Sequence, residues 1–403
     1  MKLYITESSA ASLTNKVVLD DMILTTNMPT SAGSKMLDGY KSLFQAEVVT
    51  RLEEKGYAIS GKANVGEFAL DLLGETSYYG ACENEDGTLA NAMAEILKKN
   101  EAKAVVAFDV NGAPRRAAAL NGITYIKPTY GTVSRYGTIP AACSGETGGV
   151  MANNVSDCRE VLSAIAGHDD KDGTSLPEAQ CALVKENGES APVKKIAIAA
   201  SMLADADEAT KAKIDAFKAN AEKAGIEVVE IDAKELLAAK VAWNILMSAE
   251  VTNNVSRYDG VKFGYRTANY EDIDELYINS RTEAFGYLLK STILYGSDVL
   301  STENYDRLYD KSLRVRRVIC EYMNKTLGEV DAVVLPACSK AAYNAEEVKA
   351  APYTAYEESL YTAPASITGL PVLVTCGVQV IGKAFSENRL FDMALMFEKE
   401  GEE

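Results

Sequence analysis

The chain has 403 residues and a formal net charge of −17, with 47% hydrophobic and 25% charged residues. That length and balance suit a large globular core, while the acidic excess argues against direct binding of nucleic acid. No apolar run approaches the about 18 residues of a membrane span, and the N-terminus MKLYITESSAASL lacks a signal-peptide core, so a cytoplasmic protein without a membrane partner is expected. Seven cysteines without C-x-x-C spacing predict reduced, mostly buried thiols. The single histidine, His168, removes His-based triads and His-rich metal sites, and neither metal nor cofactor is expected.

Taken in order, Lys16 to Leu19 predict a short strand. Val48, Val49 and Leu52 share a helix face that Gly56 ends, and Tyr57 to Ser60 form a strand. From Gly87 the chain reads as a helix start, with Leu89, Met93, Ile96 and Leu97 in one apolar stripe. Ala104 to Phe108 is a β-branched apolar strand followed by a tight Asp109-Val110-Asn111-Gly112 corner. Pro114 suits a first helical position, because its missing N–H would be unpaired there anyway. A helix to Leu120, a strand from Ile123 to Ile126 and a loop from Lys127 to Gly131 complete the unit. A corner at the carboxyl end of such a strand is a usual place for chemistry, and the free N–H groups of its helix start could hold an anion.

Residues 176–193 read as a polar connector. A strand at Lys194–Ala200, a helix at Asp205–Ala224 and a strand at Ile226–Ile231 support a sheet with crossover helices. Helices dominate from Ala233 to about Gly328, and Val330–Pro336 with a hairpin from Cys376 to Gly382 close the chain.

Several runs carry a resemblance: Gly61-Lys62-Ala63-Asn64 with Glu67-Phe68, Asp109 to Arg115, Val133 to Gly137, and Ile165 to Asp172. Together they resemble the amidase signature family. Asn253 to Gly260 and Ser280 to Gly286 point within it to the A-subunit branch of the glutamyl-tRNA(Gln)/aspartyl-tRNA(Asn) amidotransferases. The resemblance implies one α/β domain over residues 1–403, with a mixed, mostly parallel central sheet covered by helices on both faces, a helical insertion at approximately 233–328 and a shortened N-terminus.

It also implies site positions. The family's nucleophilic Ser falls at Ala113, its general-base Lys at Asp20 and its relay Ser at Leu89. The Arg and Asp that hold substrate fall at Thr292 and Ser359, with Lys290 a displaced cation. Lys62 and Cys143 are the substitutes weighed for catalysis, and Asp20 otherwise reads as a carboxylate capping a turn. Val110, Asn111 and Gly112 would form what remains of an oxyanion loop. An alanine cannot form an acyl-enzyme, so the expectation is a non-catalytic paralogue acting as a binding or regulatory protein, partnered by other amidotransferase subunits or by itself. Two alternatives stay open: an amidotransferase or amidohydrolase with a site rebuilt around Cys143 and Asp20, and a small-molecule sensor using the vacated pocket.

Overall fold

The computed structural model describes residues 1–8, 15–185 and 191–400. Eleven strands form one sheet: β1 (Tyr4–Glu7), β2 (Lys16–Asp20), β3 (Ala58–Ala63), β4 (Ala104–Asp109), β5 (Thr124–Lys127), β6 (Thr147–Ala152), β7 (Lys195–Ala199), β8 (Glu227–Ile231), β9 (Ala332–Leu335), β10 (Val372–Thr375) and β11 (Val378–Gly382). Their spatial order is β1-β3-β2-β4-β6-β5-β10-β11-β9-β7-β8. The sheet is mixed. Parallel pairs lie toward the two wings, β3/β2/β4 and β9/β7/β8, and the strands between β4 and β9 pair antiparallel. β4 is buried at all six positions, as a strand covered on both faces requires. The β10–β11 hairpin turns on Cys376 (φ 50°) and Gly377 (φ 77°), the two positive φ values of a turn whose twist suits flanking strands.

The helices are α1 (Glu47–Glu54), α2 (Ala92–Lys98), α3 (Ala113–Asn121), α4 (Val155–Ile165), α5 (Glu178–Lys185), α6 (Glu208–Lys223), α7 (Lys234–Val255), α8 (Ile273–Ala284), α9 (Tyr287–Val299), α10 (Lys311–Glu329), α11 (Ala345–Ala350), α12 (Thr354–Thr368) and α13 (Glu387–Glu400). α4 packs against α1, α5 and α13, and α7 packs against α9, α10 and α12. Among the described residues no helix is long and apolar enough to cross a membrane.

Two local expectations are corrected. The helix expected from Gly87 begins at Ala92, where the Asn91 side chain accepts from the N–H groups of Met93 and Ala94. Asn91 is the better N-cap, and Leu89 sits before it in a two-residue strand paired with Cys82–Glu83, its N–H donating to the Tyr343 carbonyl at 2.7 Å. The connector at 176–193 contains α5, held by buried Cys181 and Val184; residues 186–190 lie outside the described set.

Candidate functional site

β4 delivers Asp109 to the corner, and Gly112 turns the chain into α3 with φ +88°. A side chain at Gly112 would place its Cβ 2.4 Å from Thr362 Cγ2, so α12 closes directly over the turn. Arg115 reaches back from α3 and donates to Asp109 twice, Nε to Oδ2 at 2.6 Å and Nη2 to Oδ1 at 3.0 Å. It also donates to the Thr362 carbonyl, Ser366 Oγ and Gln379 Oε1. Both members of the pair are fully buried. The planar guanidinium fork suits a bidentate carboxylate. Arg116 is buried beside it and donates to the carbonyls of Leu72 and Asp71.

The corner therefore spends much of its polarity internally. The Gly112 N–H, one of the three expected oxyanion-loop positions, donates to Asp109 Oδ1 at 3.0 Å. Asn111 donates to the Leu70 carbonyl and accepts from Trp243 Nε1 at 3.2 Å. Val110 is fully buried. Ala113 presents a methyl group and is 6% exposed. Trp243, the chain's single tryptophan, is buried and walls this space. Its ring passes so close to Gly145 that a Cβ there would lie 2.2 Å from the ring edge.

Asp20 ends β2, next to β4 in the sheet. Its Oδ1 accepts from the Met22 N–H at 3.0 Å and its Oδ2 from the Phe108 N–H at 2.5 Å. It thus caps the turn after β2 and ties that turn to the residue before Asp109. Burial pushes its carboxyl up to about 7 from 3.8, against the lowering effect of those two N–H groups. Lys62, on β3, donates to the Ile23 carbonyl at 2.7 Å and to Thr30 Oγ1, with Asp21 Oδ1 at 3.9 Å. Burial lowers it to about 8, and Asp21 and Asp20 counter that shift. Asp21 accepts from the N–H and hydroxyl of Ser31 and is raised by burial to about 6. Asp20, Asp21 and Lys62 thus form one buried titrating group.

The remaining expected positions form separate groups. Thr292 Oγ1 donates to the Leu288 carbonyl and bonds to the Tyr356 hydroxyl. Ser359 donates to the Tyr356 carbonyl three residues back in the same helix at 2.7 Å, so Tyr356 touches both positions, one with its hydroxyl and one with its backbone. Lys290 is turned to the Thr282 carbonyl. Cys143 is half-buried, its Sγ accepting from Asn254 Nδ2 at 3.4 Å and its carbonyl from the Tyr130 hydroxyl. Burial, with Glu146 nearby, raises its thiol above the usual range. His168 bonds to Asp170 and the Leu176 carbonyl in its acidic turn. The described residues hold no metal-binding cluster, and all seven cysteines are free.

Sequence reasoning missed Trp243, Tyr356 and the Asp109–Arg115 clamp. Only the clamp left a signal, an acid and a base bracketing the corner. Trp243 lies on a helix with apolar residues on every side, so its direction could not be read.

The chain is similar to known proteins over nearly its whole length. A family model described as Amidase matches residues 16–85 and 102–391. The A subunit of the glutamyl-tRNA(Gln) amidotransferase of Nitrosococcus oceani is 35% identical over 395 residues, covering 94% of this chain and 82% of that protein. The protein of the same name from Caldanaerobacter subterraneus subsp. tengcongensis is 34% identical, covering 95% and 82%. The crystal structure of the corresponding glutamyl-tRNA(Gln) amidotransferase protein from Thermotoga maritima superposes with a TM-score of 0.81 at 26% identity, covering 99% of this chain and 87% of that one. The 6-aminohexanoate cyclic dimer hydrolase, at 16% identity and a TM-score of 0.78, shares the fold.

These relatives correct the expectation of a non-catalytic binding or regulatory paralogue. Proteins about 35% identical over nearly the whole chain carry the name of an enzymatic amidotransferase subunit, and nothing among them indicates a non-catalytic protein. The expectation leaned on single positions, and the match over the whole chain outweighs it.

Proposed function

Because this chain belongs to the amidase family, whose members hydrolyse amide C–N bonds, we propose that it works as an A-type amidotransferase subunit, acting on a carboxamide in company with other subunits. The observation that carries the reading is the 35% identity over 94% of the chain to a protein named for that activity.

Ala113 offers no attacking atom, so the nucleophile in this reading is water or the Cys143 thiol. Their readiness differs. A thiol attacks as thiolate, and burial keeps Cys143 protonated. A carboxyl raised to about 7 exchanges a proton near neutrality, the range in which a general base is most effective. Each Asp20 oxygen already accepts one backbone N–H and keeps a lone pair for another donor. Asp20 is 1% exposed, so in this reading substrate binding must bring water to it. Water adds to the carbonyl carbon as its proton passes to Asp20. The C–N bond then breaks, that proton leaves with ammonia, and the carboxylic acid product remains.

The test is ammonia release from glutamine and asparagine by the purified chain, alone and co-purified with its partner subunits. Release is expected, with an inflection near pH 7. Asp20→Asn should lower it by about 10²-fold or more, and Cys143→Ala should leave it intact. Loss in Cys143→Ala moves the nucleophile to the thiol, and no release above background in any preparation removes the reading altogether.

A further inference from the structure

Beside the loop that follows Lys35, a groove of about 710 Å³ is lined by the aromatic rings of Tyr40, Phe44, Tyr258 and Phe263. A second hollow of about 420 Å³ shares Leu37, Tyr40 and Gly264 with it, so the two run together. The floor is apolar and buried at Leu37 and Ile139, while Phe44 and Phe263 on the rim stand open to solvent. Leu43, next to Phe44, is 96% exposed. A leucine this open, next to exposed aromatic rings, marks an interaction surface.

Charge narrows the occupant. The chain carries −17 overall, yet the groove lining holds two exposed cations, Arg257 and Lys262, and no carboxylate, and neither cation has an ion-pair partner among the described residues. Arg257 spends its N–H groups on Asn254. Two nearby carboxylates keep their charge, Asp259 accepting from the N–H groups of Val261 and Lys262 and Asp38 from the Tyr79 hydroxyl, but of these only Asp38 lines the joined hollows, against Arg257, Lys262 and Lys35. A cationic rim around an apolar floor, on an acidic protein, selects a ligand with apolar anchors between carboxylates.

We infer that this groove docks a short acidic amphipathic segment of a partner protein. The inference shares with the proposed function only the existence of a partner. Peptide binding and ammonia release are read separately, so either can fail alone.

The probe is a fluorescein-labelled synthetic peptide with Leu at i, i+3, i+4 and i+7 and Glu elsewhere, compared by anisotropy with the same peptide carrying Lys for Glu, on the full chain. The acidic peptide should bind about tenfold tighter or better, about 1.4 kcal/mol. Arg257→Glu combined with Lys262→Glu should abolish that preference, and Phe263→Ala should weaken both peptides, with thermal midpoints unchanged. Equal affinities, no binding of either peptide, or a preference that survives charge reversal would overturn the inference. So would concentration-dependent dimers that Leu43→Ser abolishes, since the occupant would then be a second copy.

Discussion

Arg115 holds Asp109 through two hydrogen bonds of 2.6 and 3.0 Å, with neither side chain touching solvent. This pair ties the corner to the rest of the fold, because Asp109 Oδ1 also takes the Gly112 N–H and Arg115 also reaches α12 and β11. Breaking a buried pair on one side strands the other charge, at a cost of about 3–5 kcal/mol. Asp109→Ala should therefore cost about that much in urea unfolding. Asp109→Ala combined with Arg115→Met should cost clearly less than the sum of the single changes. Additive costs would mean the pair is not coupled.

Stability should fall as pH rises toward neutrality. Burial raises Asp20 and Glu67 to about 7 and Asp21 to about 6. The folded state thus holds protons between about pH 4 and 7 that the unfolded chain has released. The stability they contribute is fully present below the ordinary carboxylate range and is lost as pH climbs through 6 to 7. The lowered lysines act elsewhere: Lys62 at about 8 and Lys127 at about 7 cost stability as pH falls from about 10 to 7, and below that they are protonated in both states. The urea midpoint should be higher at pH 5.5 than at pH 7.5. Less repulsion in a chain of charge −17 pushes the same way, so the informative comparison is Asp20→Asn, which should shrink the difference.

Trp243 is the chain's single tryptophan and lies against Asn111, which makes its fluorescence a reporter of the corner. Native emission should be blue-shifted and poorly quenched by acrylamide, and both should reverse on unfolding. Trp243→Phe keeps most of the ring volume but leaves Asn111 Oδ1 without its donor, a cost of about 1–3 kcal/mol. Trp243→Ala adds a cavity and should cost about 3–5 kcal/mol. If the two variants cost the same, the hydrogen bond rather than the packing holds the ring.

How much of this was legible beforehand depends on the range of the signal. The strand at Ala104, the turn at Gly112 and Pro114 in the first turn of α3 are local, and the structure follows them closely. Leu89 was misplaced because its neighbours favour helix, while its own N–H is claimed by Tyr343, more than two hundred residues away. That is a tertiary override of local propensity. α5 was hidden because only two of its residues face the core. The Asp109–Arg115 spacing of six matches neither helical nor strand neighbours, so only folding the corner brings the two together. Single positions and the whole chain point different ways: Asp20, Leu89 and Ala113 suggested a lost reaction, while the identity spread along the chain is to proteins named for an enzymatic subunit.

Two glycines around α3 separate backbone strain from steric closure. Gly122, just after the helix, has φ +65° and nothing within 4 Å of a Cβ placed there. Gly122→Ala should cost only the left-handed conformation, about 1–2 kcal/mol. Gly112 has φ +88° and a Cβ position 2.4 Å from Thr362 Cγ2. Gly112→Ala meets the same conformational cost and must also displace α12, for a total of about 2–5 kcal/mol. Thr362 Cβ and Oγ1 lie at 2.5 and 2.6 Å from the same position, so Thr362→Gly, which clears all three atoms, should recover part of the Gly112→Ala loss and none of the Gly122→Ala loss. Equal costs at the two glycines, measured by urea unfolding, would show that α12 does not press on the corner.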